Sequence, residues 1–235
     1  MPQTNKIPIL MYHDISNKRN KDSVYYKNFF RQINFVRSLG YESVNLCDLT
    51  KKNDKKKFVI TFDDGYKNLA KFVLPFLKKN NLKATCFIVS NSIGKDNYWD
   101  SKKNFFIKKD IMTIKQIKAW VSAGLEIGSH TTNHHDLTTL NDKDKLIEIT
   151  KPIKDFKKKL GIDVKTFSYP FGKYDDKSKK IVKKYYKYAV NTKRSRYLKK
   201  KFNDNMIPRI PINYNTSIFK LFLKISTVYE DIKYK

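Results

Sequence analysis

The chain has 235 residues and a formal net charge of +28, from 50 Lys and Arg against 22 Asp and Glu. This length suits one α/β barrel or two small domains, and no segment rich in Pro, Gly or Ser divides the chain. We therefore expect one domain over residues 1–235, with a core at about 7–211. The charge favours anionic partners, but lysines run from Lys6 to Lys235 and arginines are few, which argues against nucleic-acid binding.

The cysteines and the N-terminal residues indicate in which cellular compartment the chain is expected. Cys47 and Cys86 lie in separate strand-like segments without metal-ligand spacing, which predicts reduced core thiols rather than a disulfide. Residues 1–6 are short and polar, and the apolar run 7–12 is too short for a signal peptide or a membrane span. As written, the chain is expected to be cytoplasmic or membrane-peripheral, or exported if a signal was removed.

Apolar periodicity predicts alternating strands and helices along the chain. Strands are expected at residues 7–12, 41–46, 58–62, 83–89, 125–129, 164–169, 188–191 and 206–212. Helices are expected at 25–39, 66–79, 114–123, 142–160 and 175–186, with Pro75 and Pro152 bending two of them, and 90–112 is expected to be a loop bordering the site. This alternation indicates an α/β fold with a parallel sheet, and about seven units can close into a barrel.

The C-terminal tail has a helical pattern of its own. Ile218, Leu221, Phe222 and Ile225 recur at helical spacing with lysines between them. Such a basic helix can pack on the barrel, or it can lie on an anionic membrane surface.

One buried strand, 58–62, ends in the sequence Asp63-Asp64-Gly65. Adjacent side chains on extended backbone point to opposite sides, so these two carboxylates are expected to have separate roles. A solvated turn that caps the next helix is the alternative for this motif alone.

Histidines follow other predicted strands. His13 follows 7–12, and His130 follows 125–129. A helical turn would place His130 and His134 on one face, spaced for one metal ion, and one added carboxylate gives a three-ligand site with room for water, as catalytic zinc requires. Cobalt and nickel accept the same ligands. His135 is the alternative second ligand, although adjacent side chains diverge.

Three segments in this order, 61–65 (TFDDG), 130–134 (HTTNH) and 169–172 (YPFG), resemble the polysaccharide deacetylase family, carbohydrate esterase family 4, whose catalytic unit is the NodB homology domain. The resemblance implies a distorted (β/α)7 barrel of parallel strands. It also implies metal-dependent hydrolysis of N-acetyl groups on an amino sugar, from an N-acetylated glycan or a lipid-linked amino sugar. It assigns Asp64, His130 and His134 to one divalent metal ion, most simply Zn²⁺, with Asp63 as general base and the backbone N–H of Phe171 as oxyanion donor.

Two further segments, 11–14 (MYHD) and 208–210 (PRI), look like the branch that contains poly-N-acetylglucosamine deacetylases. In that branch the general acid is a histidine from the first strand, which implies this role for His13. Ser168 stands where many family members have an arginine, and we expect it neither to orient nor to charge-stabilise Asp63. Arg209 is expected to reach that carboxylate from another direction.

Several residues around the third motif are candidates for substrate binding. Tyr169 and Pro170 belong to the motif itself, and Trp99, Phe171 and Tyr174 could offer apolar faces to a sugar ring or simply pack at the rim. Two other functions compete with the enzyme: a catalytically inactive sugar-binding relative and a basic nucleic-acid-binding protein. The complete set of metal ligands argues against the inactive relative.

Overall fold

The computed structural model describes residues 6–19, 21, 23–51, 55–101 and 104–233. The strands are β1 Ile9–Tyr12, β2 Ile15–Ser16, β3 Val24–Tyr25, β4 Tyr41–Ser43, β5 Lys56–Phe62, β6 Thr85–Ile88, β7 Glu126–Ser129, β8 Thr166–Ser168, β9 Tyr188–Arg194 and β10 Ile207–Pro211. The helices are α1 Tyr26–Ser38, α2 Leu74–Lys79, α3 Ile114–Ser122, α4 Asp142–Leu160, α5 Asp176–Tyr185, α6 Ile218–Ser226 and α7 Tyr229–Lys233.

Seven parallel strands close into a barrel in the order β1, β5, β6, β7, β8, β9, β10. Closure is visible at Leu10 of β1, which is in register with Ile60 of β5 on one side and with Ile210 of β10 on the other. All three side chains are fully buried. The predicted (β/α)7 barrel is confirmed, and β4 adds a short strand beside the first half of β5.

The predicted helices are present, with two local differences. A π-helical turn, Leu69–Val73, precedes α2 and places Pro75 in the first turn of α2, where a missing N–H costs least. Pro152 lies inside α4, and the helix runs through it over a total length of 19 residues. Gly161 ends α4 with φ 74°, a left-handed conformation that glycine adopts without a steric penalty.

The C-terminal helix α6 packs against α1. Leu221 and Ile225 are fully buried, and the Phe222 ring lies 6.4 Å from that of Phe35. Phe219 faces solvent with 71% of its surface exposed. The packed-helix interpretation is thus confirmed for the inner face of α6, whereas contact with a membrane surface stays a prediction.

Within the described parts of the chain, we find no helix with the length and apolar character that a bilayer crossing requires.

Candidate active site

The candidate site is a cavity of about 320 Å³ at the carboxyl ends of the barrel strands. Its lining includes His13, Asp63, Asp64, His130, His134 and Phe171. These residues follow β1, β5, β7 and β8, so separate segments of the chain meet at one rim. Parallel barrels collect functional side chains at this end, because every strand delivers the residue that follows it to the same edge.

The two consecutive aspartates separate at the end of β5. Asp63, the first residue after β5, donates its N–H to the Tyr12 carbonyl at 3.0 Å, whereas the backbone of Asp64 is left-handed with φ 71°. Gly65, with φ 77°, then turns the chain, and Met112 donates its N–H to the Gly65 carbonyl at 2.9 Å. The carboxylates consequently have different partners, as expected, but the left-handed backbone at Asp64 separates them rather than the alternation of an extended strand.

Asp63 is held by a buried arginine. Both oxygens of Asp63 accept from Arg209, Oδ1 from Nη1 and Oδ2 from Nη2, each at 2.7 Å. Arg209 is fully buried and also donates to Thr61 Oγ1, the Asn191 carbonyl and Ser168 Oγ. Burial by itself would raise the pKa of Asp63, but the charge and hydrogen bonds of Arg209 outweigh it and hold that pKa well below its usual range.

Ser168 has two roles that the sequence did not predict. Its hydroxyl lies 3.4 Å from Asp63 Oδ2 and accepts from Arg209 at 3.1 Å, so the expectation that Ser168 has no part in orienting Asp63 is wrong. Its carbonyl lies 2.8 Å from Nδ1 of His130. A proton on Nδ1 that is donated to this carbonyl leaves Nε2 of His130 with a lone pair for a metal.

Asp64, His130 and His134 form a buried set of potential metal ligands. Asp64 Oδ1 lies 3.6 Å from His130 Nε2 and 3.5 Å from His134 Nε2. One potential ligand atom from each of the three residues lies within 4.8 Å of the other two. Burial raises the pKa of Asp64, because its neighbours compensate its charge less than Arg209 compensates that of Asp63. A divalent cation would supply that compensation, so the donor set fits the implied ion.

The segment between the two histidines is not helical, so the expected helical turn is wrong. Thr131 and His134 have φ values of 66° and 61°, and the segment forms a bend. The Thr131 hydroxyl accepts from the His134 N–H at 3.0 Å, which stabilises this bend. Left-handed residues other than glycine cost about 1–3 kcal/mol each and are often found at functional sites.

The bend is also fixed from outside. Glu148 of α4 accepts from the N–H of Asn133 at 2.9 Å and lies 3.5 Å from His135 Nδ1. His135 is half exposed and is not in the ligand group, whose members are Asp64 and the two histidines His130 and His134.

His13 lies at the mouth of the cavity. Its side chain is 49% exposed, and its Nε2 lies 4.0 Å from Asp63 Oδ2. The next residue, Asp14, is buried, accepts from Asn68 and forms an ion pair with Lys109 at 3.2 Å. These contacts anchor the segment that carries His13, so the imidazole is positioned beside the Asp63 carboxylate while remaining accessible to solvent.

The third motif, residues 169–172, forms another wall of the cavity. Phe171 is left-handed with φ 57°, and its ring lies 4.6 Å from that of His134. Gly172 has φ 70°, and a Cβ there would collide with the side chain of Thr192. Tyr169 lines the cavity, whereas Pro170 and Tyr174 do not belong to its described lining, so direct substrate contact is not supported for these two.

The loop after β6 closes the remaining side. The Trp99 ring stacks on His134 with centroids 4.8 Å apart, and Asn97 and Phe106 also line the cavity. Tyr66 lines it as well and is largely buried. Sequence reasoning identified Trp99 but missed Tyr66, although its position directly after the Asp-Asp-Gly turn was a usable signal.

Residues 50–190 match the family model described as polysaccharide deacetylase. The chain belongs to the polysaccharide deacetylase family. Family membership accords with the three motifs, which the fold brings together around one cavity.

Individual members of the polysaccharide deacetylase family show the same likeness over most of the chain. YxkH of Bacillus subtilis (strain 168), provisionally named a polysaccharide deacetylase, is 31% identical over 185 residues, which are 76% of this chain and 61% of YxkH. A poly-beta-1,6-N-acetyl-D-glucosamine N-deacetylase of Staphylococcus aureus (strain MRSA252) is 29% identical over 220 residues, 86% of this chain and 72% of the relative. The solved structure of the Streptococcus pyogenes deacetylase PplD in complex with acetate has a TM-score of 0.79 and 25% identity, covering 94% of this chain and 98% of PplD.

Proposed function

We propose that this chain is a metal-dependent hydrolase that removes N-acetyl groups from an amino sugar in a polysaccharide or glycoconjugate. The observation that carries the proposal is the pairing, in one cavity, of a three-ligand set at Asp64 with an arginine-bound carboxylate at Asp63. The named activity of the Staphylococcus aureus relative and the acetate bound to PplD support the same reaction class.

The metal would be held by Asp64, His130 and His134. A divalent ion bound there would act as a Lewis acid on the acetyl carbonyl and would lower the pKa of water. Zinc suits two nitrogens and one carboxylate oxygen, and cobalt and nickel suit them too.

Asp63 would act as the general base. Its pairing with Arg209 keeps the carboxylate ionised at neutral pH, so it can accept a proton from the attacking water. The low pKa also makes Asp63 a weak base, so proton transfer to it would depend on a bound metal lowering the pKa of the water. The bidentate contact also fixes the direction of the carboxylate, which is the geometric requirement for proton transfer.

His13 would protonate the leaving amine. Amide hydrolysis expels a poor leaving group, so the nitrogen must gain a proton as the tetrahedral intermediate collapses. The His13 imidazole lies 4.0 Å from Asp63 Oδ2 at the mouth of the cavity, and its ring nitrogens can carry and donate a proton. The backbone N–H of Phe171 would donate to the oxyanion, a role that Pro170 lacks the hydrogen to perform.

The substrate would be an N-acetylated glycan, with a lipid-linked amino sugar as the other candidate. The cavity of about 320 Å³ is at the lower end of the range for small-ligand sites, so it would hold a single sugar residue of a longer chain. Trp99, Tyr169 and Phe171 would provide its apolar faces. We place the activity in a single domain, 1–235, of which 185 residues match 61% of the length of YxkH.

Acetate release from a panel of N-acetylated oligosaccharides tests the proposal. Zinc-loaded protein should release acetate from at least one glucosamine-based oligomer, and removal of the metal by a chelator should abolish that release. Asp64→Asn serves as the control for contaminating hydrolases. Failure of the zinc-, cobalt- and nickel-loaded proteins to release acetate from any member of the panel would leave the sugar-binding alternative.

A further inference from the structure

The spacing of the metal ligands depends on a bend whose own hydrogen bond, from the His134 N–H to the Thr131 hydroxyl, must offset an unfavourable backbone conformation. His130 and His134 are separated by Thr131, Thr132 and Asn133, and Thr131 is left-handed although threonine is β-branched. Such residues favour extended backbone when nothing constrains them. Contacts from elsewhere in the fold must therefore hold this segment in the conformation that presents both imidazoles to Asp64.

Those contacts come from the middle of α4. The Glu148 carbonyl accepts from the Thr132 N–H at 3.1 Å and lies 3.3 Å from the Thr132 hydroxyl. The Glu148 carboxylate accepts from the Asn133 N–H at 2.9 Å through Oε2 and from Asn133 Nδ2 at 2.5 Å through Oε1. Glu148 is 4% exposed, so it places a carboxylate inside the protein, and these hydrogen bonds offset its loss of water.

Asn133 connects this contact to the loop on the other side of the cavity. Its Oδ1 accepts from Asn91 Nδ2 at 2.7 Å and from the Tyr98 hydroxyl at 3.1 Å. Only acceptors are present on an ionised carboxylate, so the amide nitrogen must face Glu148 and the amide oxygen must face Asn91 and Tyr98. The orientation of Asn133 is thus determined by its partners, and the next residue is the ligand His134.

We infer that Glu148 is a positioning residue that sets the location of His134 relative to His130 and Asp64, and so determines the affinity of the site for a divalent metal. It touches neither the ligand atoms nor the cavity, and it acts through the backbone and side chain of Asn133. This inference rests on the metal site of the proposed function. Contacts that orient metal ligands commonly change metal affinity by about 10- to 100-fold when they are removed.

The test measures zinc affinity by competition with a chromophoric chelator, together with thermal unfolding of the metal-free protein. Glu148→Ala and Asn133→Ala should each weaken zinc binding by about 10- to 100-fold. The loss of zinc affinity in the double variant should be smaller than the product of the two single losses, because both substitutions break the same contact.

Lys145→Met is the matched control. Lys145 is on the same helix, is 4% exposed and pairs with Asp175 at the start of α5, away from the bend. Its substitution should lower stability and leave zinc affinity unchanged. If Glu148→Ala binds zinc as the wild type does, or if Lys145→Met weakens zinc binding equally, the inference is wrong.

Glu148→Gln keeps the test decisive if the alanine variant does not fold. The glutamine oxygen can still accept from the Asn133 N–H, but its NH₂ group would face Asn133 Nδ2, donor against donor. Zinc affinity should therefore fall to a value between those of wild type and Glu148→Ala, and wild-type affinity in this variant would overturn the inference. A wild-type protein that binds no zinc would instead contradict the proposed function.

Discussion

Replacing Arg209 with methionine should uncouple Asp63 from its charge partner while leaving the metal ligands in place. Arg209 is fully buried and makes two 2.7 Å contacts with the Asp63 carboxylate. Removing one member of a buried ion pair typically costs about 3–5 kcal/mol of stability, because the remaining charge stays desolvated. Methionine has nearly the same shape as the aliphatic part of arginine, so the cost should come mainly from the orphaned carboxylate.

The pH dependence of this effect has a definite sign. The pKa of Asp63 is depressed in the folded protein, so its ionisation stabilises the fold above the unfolded carboxyl pKa, about 4, and this contribution is lost as pH falls toward the folded value. In Arg209→Met the folded pKa should rise above the unfolded one, since burial then dominates. The stability deficit should be largest at neutral pH and should shrink as acid protonates Asp63.

The pH dependence of the reaction rate should show the same rise in the pKa of Asp63. An opposite charge at this distance lowers a carboxylate pKa by about one to three units, so the acidic limb of the pH–rate profile should move upward by a similar amount, with zinc content unchanged. Arg209→Lys keeps the charge without the bidentate geometry and should show a smaller displacement. Adding Asp63→Asn to Arg209→Met should recover part of the lost stability. An unmoved acidic limb, or a double variant less stable than Arg209→Met, would refute this reasoning.

Four other substitutions test the assigned roles. Asp64→Asn should lose zinc while Asp63→Asn keeps it and loses about 10²–10⁴ in rate, and elemental analysis that finds both variants fully metallated would reverse the assignment. His13→Ala should retain fold and zinc and lose about 10²–10⁴ in kcat, whereas near-normal turnover would transfer the acid role elsewhere. Gly172→Ala should lower kcat, because alanine is strained at φ 70° and its Cβ would collide with Thr192. Circular dichroism would show that the fold persists. A wild-type kcat in this variant would mean that the turn has no part in catalysis.

The positions of the site residues could be predicted because they follow buried strands. Asp63 and His130 each follow a run of apolar residues, and parallel strands bring such positions to one edge. The contact between Arg209 and Asp63 was also predictable, since a buried carboxylate needs a cation and Pro208-Arg209 lies in a late strand. The direct pairing of β1 with β5, which leaves β4 outside the ring, was not encoded in any local pattern.

Other features depend on contacts that periodicity cannot reveal. The four-residue spacing of His130 and His134 suggested a helical turn, but the left-handed Thr131 and the contact with Glu148 fold the segment into a bend. Tyr174 was expected either to offer an apolar face to a sugar ring or to pack at the rim, and the sequence could not decide between the two. Its ring packs beside Tyr169, 5.4 Å away, outside the described lining of the cavity.

Zinc titration of metal-free protein, followed by acetate release from an N-acetylated glucosamine oligomer, tests the central claim most directly. The site has one set of three ligands, Asp64, His130 and His134, so the rate should rise in proportion to zinc and level off at about one equivalent. The same titration of Asp64→Asn should stay near the blank. Acetate release that is already maximal without metal, or that never rises above the blank at any zinc concentration, would contradict a metal-dependent deacetylase.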